Sequence, residues 1–293
     1  MVTLTRPEGS SPEDLDLTRR GVAAVFFSGY AVAALSAEAE PIHTDEAGLV
    51  IETVSYPSQG FTLPAYLARP EGRGPFPAIV VASEIFGVHD YIKDVCRRLA
   101  KLGYVALAPA FFVRVGDPAP LSDMAAIMKI VQAASDQQVI GDVDASIAWL
   151  KRQRYVKARE IGITGFCWGG GVTWLACESF PDLKAGVAWY GKMVRPPGAP
   201  NDPTRLWPAE MATQLKCPVL GLYGAKDRLA EGVPTMRAAL AAAGKTDSEI
   251  VVYPDAGHGF HADYRSSYNA ADAADGWRRM LAFFAAHGLS PKG

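Results

Sequence analysis

A short apolar segment, Ile161-Gly162-Ile163-Thr164, runs directly into Gly165-Phe166-Cys167-Trp168-Gly169-Gly170 and then into a helix-like stretch. Passing from strand to helix in so few residues demands a very tight turn. Such a turn lifts one side chain, Cys167, above the end of a sheet. Glycine is needed at 165 and 169 because side chains there would collide with neighbouring backbone. Cys167 then stands at a helix N-terminus, where the positive end of the dipole favours a thiolate. The Trp168 backbone N–H is placed to stabilise an oxyanion. A cysteine merely buried in a Gly-rich turn is the plainer reading. The strand before it and the helix after it favour catalysis.

The rest of the chain supplies a sheet to carry that turn. Leu49–Tyr56 and Phe61–Ala68 mix polar and apolar residues around a Gly-containing turn and read as an antiparallel hairpin. Phe76–Ser83, Tyr104–Pro109, Ala185–Tyr190 and Pro218–Tyr223 are continuous apolar runs, as expected of strands covered on both faces. Ile92, Val95, Cys96 and Leu99 mark one face of a helix that Gly103 ends, and Ile140, Val143, Ile147 and Leu150 mark another. Residues 235–243 are Ala-rich and helical, Glu249–Tyr253 is the last strand, and Trp277, Met280, Leu281 and Phe284 face the core from a closing helix that Gly288 stops. Strand–helix alternation predicts an α/β class: one domain over residues 45–290, with a mostly parallel sheet flanked by helices on both faces. Ligands of such sheets bind beyond the carboxyl ends of the strands.

Composition removes other classes. Apolar residues make up 49% and charged residues 20%, ordinary for a globular protein. Lys+Arg is 29 against 31 Asp+Glu, a net charge of −2 that offers nothing to a phosphate backbone. Four cysteines without a CxxC pair make neither a disulfide scaffold nor a metal site, and no metal or cofactor is implied. Cys96, Cys177 and Cys217 read as structural. The expected partner is a small molecule, with no nucleic acid and no membrane after signal removal, bound by a monomer. Thr18-Arg19-Arg20, the uncharged run Gly21–Leu35 and Ser36-Ala37-Glu38-Ala39 read as a twin-arginine export signal over residues 1–39. Its acidic leader (Glu8, Glu13, Asp14, Asp16) and Gly21-Val22 depart from the usual pattern. Cleavage after Ala39 would leave a periplasmic protein; a helix that happens to follow two arginines would leave a cytoplasmic one.

Two further positions follow strands. Asp227 lies just past one in Leu222-Tyr223-Gly224-Ala225-Lys226-Asp227, and His258 just past another in Asp255-Ala256-Gly257-His258-Gly259-Phe260. Either could be an ordinary loop residue, Asp227 a helix cap. Nucleophile, acid and histidine, in that order and each after a strand, form the chain order of an α/β-hydrolase triad. His258 would take the Cys167 proton, Asp227 would fix the imidazole, and the sulfur would attack an ester or lactone carbonyl to give a thioester that water cleaves. The second oxyanion donor is expected from the loop Ser83-Glu84-Ile85-Phe86-Gly87, at the Ile85 N–H.

Together, Ser83-Glu84-Ile85-Phe86-Gly87-Val88, Gly165-Phe166-Cys167-Trp168-Gly169-Gly170 and His258-Gly259-Phe260 resemble the dienelactone hydrolase (carboxymethylenebutenolidase) family over roughly residues 48–288. The resemblance implies an α/β-hydrolase fold and a triad at Cys167, His258 and Asp227. It implies that Glu84 holds the resting thiol and is displaced when substrate binds; a Glu capping the following helix is the plainer alternative. Family members grip the dienelactone carboxylate with two arginines. Arg114, in Pro109-Ala110-Phe111-Phe112-Val113-Arg114, is similar to one. The other normally lies four residues after the His, where this chain has Ala262, and Arg265 is the nearest substitute. That departure leaves open a broader carboxylesterase or phosphotriester hydrolase, or a ligand-binding, thiol-sensing protein without turnover. Phe111, Phe112, Trp168 and Phe260 could line an apolar pocket or be ordinary core aromatics.

Overall fold

The computed structural model describes residues 41–199 and 202–291, so the export signal expected at residues 1–39 lies outside the described residues. The hairpin is β1 (Leu49–Ser58) and β2 (Phe61–Pro70). Then come β3 (Phe76–Ala82), α1 (Asp90–Lys101), β4 (Val105–Pro109), α2 (Met124–Ala133) and α3 (Asp136–Lys151). The second half holds β5 (Val156–Phe166), α4 (Trp168–Ser179), β6 (Gly186–Trp189), β7 (Val219–Gly224), α5 (Val233–Ala242), β8 (Glu249–Tyr253) and α6 (Ala270–Ala286). A one-turn helix, Pro208–Met211, interrupts the path from β6 to β7.

All eight strands form one sheet in the order β1-β2-β4-β3-β5-β6-β7-β8. β1 and β2 pair antiparallel, as do β2 and β4, and every other pair is parallel. The central apolar runs are the fully covered strands: Ile79, Val80, Val81, Leu107, Ile163, Val187 and Leu222 have no exposed surface. Each such side chain contributes about 1.5–3 kcal/mol of burial. At the edge, the end of β1 alternates instead, with Val54, Tyr56 and Ser58 turned inward and Ser55 and Pro57 in water.

Two elements differ from the expectation. β5 begins at Val156, ahead of the apolar Ile161-Gly162-Ile163-Thr164, because its first residues pair only through a register shift at Phe76 and Ala78 and stay partly solvated. α2 was not expected; it buries only Ile127 and Val131, too narrow a face to mark the sequence, and Asp123 caps it by accepting from the Ala125 and Ala126 N–H groups. Because β4 to β8 run parallel with β3, the segments after these strands gather at one edge of the sheet, the edge that carries the site.

Candidate active site

The turn after β5 is as tight as its glycines require. Cys167 has φ 58° and ψ −119°, a backbone disfavoured for a residue with a side chain, and its N–H donates to the Trp189 carbonyl at 3.0 Å. A Cβ on Gly165 would lie 2.1 Å from the Gly169 carbonyl oxygen. One on Gly169 would lie 2.2 Å from that of Ala82 and 2.6 Å from that of Ser83. The start of α4 is therefore pressed against the segment leaving β3. Trp168 opens α4, so its N–H has no helical carbonyl to bond. Ile85 follows Ser83 in the segment that touches Gly169 and is fully buried.

Asp227 caps the 3₁₀ turn Arg228–Gly232, its Oδ1 accepting from the Leu229 N–H at 3.0 Å. Its Oδ2 lies 2.7 Å from His258 Nδ1. Capping and pairing with histidine are thus compatible: one oxygen serves each. Burial pulls the His258 pKa down, but the Asp227 carboxylate, then Cys167, outweigh it and push it up to about 10. Cys167 is also a hydrogen-bonding neighbour of this ring.

Beside Cys167 lies a second buried cluster. Glu84 and Arg265 have no exposed surface and pair through Oε1 and Nη2 at 2.8 Å. Oε2 of Glu84 accepts from the Tyr264 hydroxyl at 2.6 Å and meets His89 Nε2 at 3.2 Å. The Arg265 Nε donates to the Tyr264 hydroxyl at 3.1 Å. Burial pushes the Glu84 carboxyl up, yet Arg265, then His89 and Tyr264, hold it down at about 2. Both carboxylate oxygens are occupied by these three residues. His89 and Tyr264 escaped the sequence reading: His89 directly follows the Ser83–Val88 block and Tyr264 precedes Arg265, but no motif spacing marks either.

Arg114 goes elsewhere. Its fork meets both oxygens of Asp142, at 2.5 and 2.7 Å, and donates to the Ser58 carbonyl at 3.1 Å. The fully buried Asp142 carboxylate demands a cation, and Arg114 is the one that reaches it. Phe112 and Phe111 pack on Trp168, with centroids 4.6 and 5.9 Å away, and so wall one side of the turn. Phe260 is enclosed by Trp189, Tyr190 and Tyr253 in the core. Cys96, Cys177 and Cys217 are buried free thiols.

The chain is similar to several known proteins. The model of the dienelactone hydrolase family matches residues 63–288. A protein of Methylorubrum extorquens, provisionally named carboxymethylenebutenolidase, is 47% identical over 284 residues, 94% of each chain. The crystal structure of a protein from Klebsiella pneumoniae, provisionally named dienelactone hydrolase, superposes with a TM-score of 0.76 at 48% identity, covering 81% of this chain and 98% of that one. A Bradyrhizobium protein, provisionally named 2-oxo-3-(5-oxofuran-2-ylidene)propanoate lactonase, is 32% identical over 82% of this chain and 95% of its own.

Proposed function

Because the chain belongs to the dienelactone hydrolase family and is a hydrolase of that kind, we propose that it cleaves small esters and lactones through a Cys167 thioester, with His258 and Asp227 completing the triad. The observation that carries this reading is the backbone of Cys167, held at φ 58° atop α4, beside a His258 whose Nδ1 lies 2.7 Å from Asp227.

In this mechanism His258 takes the thiol proton and the sulfur attacks the carbonyl carbon. The oxygen that gains charge is met by the Ile85 and Trp168 N–H groups. The carbon–oxygen bond to the leaving group then breaks, and that oxygen receives the proton from His258. Water, deprotonated by the same ring, cleaves the thioester and frees the thiol. Asp227 holds the imidazole in one tautomer and balances its charge. Glu84, expected to hold the resting thiol, instead has its oxygens engaged by Arg265, Tyr264 and His89, so any effect on the thiol is through its charge, and Cys167 is left to His258. That arrangement supports a site ready for attack.

The substrate class is an unsaturated lactone or ester bearing a carboxylate, in keeping with the propanoate in the Bradyrhizobium relative's name. Arg265 is the cation of this chain assigned to that group: it holds Glu84 through Nη2 but keeps Nη1 without a hydrogen-bond partner among the described residues, whereas Asp142 takes both terminal nitrogens of Arg114. Phe112 supports the apolar wall. The protein is proposed to act as a monomer in the periplasm, reached through the Arg19-Arg20 signal; the N-terminal residue of protein from its native host tests the compartment, an intact Met1 counting against it.

The test is steady-state hydrolysis of dienelactone and p-nitrophenyl acetate by wild type and Cys167→Ala. Turnover of dienelactone that the variant loses is expected. Turnover of the acetate alone would keep the triad and move the substrate to uncharged esters. Undiminished turnover by Cys167→Ala would overturn the mechanism.

A further inference from the structure

Of the cysteines outside the triad, two meet. Cys177 lies in the last turn of α4, the helix that carries Cys167 at its other end. Cys217 lies in the segment entering β7, the strand that leads to Asp227. The Lys216 N–H donates to the Cys177 carbonyl at 2.8 Å and pins the two segments together. Beside that bond, the Gly186 N–H donates to the Pro218 carbonyl at 3.0 Å. A Cβ on Gly186 would lie 2.5 Å from Cys177 Sγ, so this sulfur rests on β6 where β7 begins to pair with it. The Cys217 thiol is accordingly the hydrogen-bonding and electrostatic neighbour of the Cys177 thiol. Cys96, by contrast, faces Arg97 and Asp94.

A buried thiol can serve as a small apolar group, and two in contact can simply pack. What distinguishes this pair is that main-chain hydrogen bonds fix both carriers. The sulfurs are brought together by rigid elements, as the narrow geometry of a disulfide demands.

We propose that Cys177 and Cys217 are a disulfide-forming pair, oxidised by a small-molecule disulfide, that staples the far end of the nucleophile helix to the strand leading to Asp227. Cys217 is 7% exposed and Cys177 is fully covered, so Cys217 reacts first. Its thiolate attacks one sulfur of the small disulfide and expels the other as a thiolate. The Cys177 sulfur then attacks Sγ of Cys217 and expels the second small thiolate. One sulfur–sulfur bond forms for one broken. Two protein thiols are oxidised, the small disulfide is reduced to two thiols, and the protein's two protons pass to them. The staple closes a loop over residues 177–217, long enough to restrict the unfolded chain strongly. It lies at the end of α4 opposite Cys167, so it holds the base of the site without entering it.

The test uses Cys167→Ala, which removes the reactive thiol from competition. The full chain is unfolded under reducing conditions and refolded with reduced and oxidised glutathione, or with dithiothreitol. The glutathione preparation is expected to be two hydrogens lighter, with the tryptic peptide of residues 160–184 joined to that of residues 217–226. Its melting temperature should exceed that of the dithiothreitol preparation by roughly 5–10 °C. When Cys217→Ser is added, or Cys177→Ala in its place, the two preparations should melt together. Free thiols in both preparations would overturn the pair, as would a glutathione adduct on Cys217 without the crosslink. A crosslink that lowers the melting temperature, or a rise that persists in Cys217→Ser, would overturn it as well. None of these measurements reads turnover, so the staple stands or falls apart from the hydrolase mechanism.

Discussion

His258 Nδ1 lies 2.7 Å from Oδ2 of Asp227, and both side chains are nearly inaccessible to water. Burial works against the charged ring, but Asp227 and Cys167 prevail and hold its pKa at about 10, above the ordinary 6.5. The stabilisation linked to this proton is therefore complete below about pH 6.5 and is lost as pH rises toward about 10. In Asp227→Asn the ring loses its anion. The variant's melting temperature should vary less than that of wild type across this interval, and its kcat should drop by about 10²- to 10⁴-fold. Identical melting profiles would count against the coupling.

Arg114 and Asp142 make a structural pair, so Arg114→Met should act on stability and not on substrate binding. Removing one partner leaves a buried carboxylate, at a cost of about 3 kcal/mol. Urea unfolding should show the loss, with the KM for dienelactone within about twofold. A tenfold rise in KM without loss of stability would return Arg114 to the substrate.

Glu84 has the opposite pH signature from His258. Burial raises its carboxyl, and Arg265 with His89 and Tyr264 bring it down to about 2 from the ordinary 4.5. Its contribution is present above about pH 4.5 and lost as pH falls toward about 2. Glu84→Gln should unfold at lower urea than wild type at neutral pH, by about 3 kcal/mol. That gap should narrow steadily through the acid range; a constant gap would argue against an ionised Glu84.

Glu178, on α4 away from Cys167, is buried with neither carboxyl oxygen hydrogen-bonded among the described residues, and burial pushes its pKa up to about 9. The folded state keeps this proton while the unfolded chain releases it, so stability falls as pH rises from about 4.5 to about 9. Glu178→Gln should be more stable than wild type at pH 8, on the order of 3 kcal/mol by urea unfolding. A less stable variant would mean that the carboxyl has a use as an anion.

The sequence was most readable where one local demand decides the outcome. Gly165 and Gly169 announce the turn because nothing larger fits, and Glu249–Tyr253 stands as read because an isolated apolar run between turn residues has one use. Destinations of long polar side chains were not readable. Arg114 meets Asp142 across two elements, and Arg265 meets Glu84 from the opposite end of the chain. Nothing in spacing records which carboxylate a guanidinium will find. Tyr190 reads as the last residue of a strand, yet it takes a positive φ just past β6, next to Gly191, whose backbone runs against that of Gly170 and Gly171, a long-range approach that sequence does not print.

The contact of Gly169 with the Ala82 and Ser83 carbonyls has a consequence for anyone reshaping this enzyme. Backbone meets backbone there, so no compensating side-chain change can make room. A diversification library that randomises the turn would spend most of its clones on chains that cannot close. Variation is better placed at Phe111 and Phe112, buried rings that meet Trp168 through side chains alone, where a change of volume can be answered by other side chains. The fold thus sets a turn that admits nothing larger than glycine beside a wall built from side chains, and a change of substrate range should come through the wall.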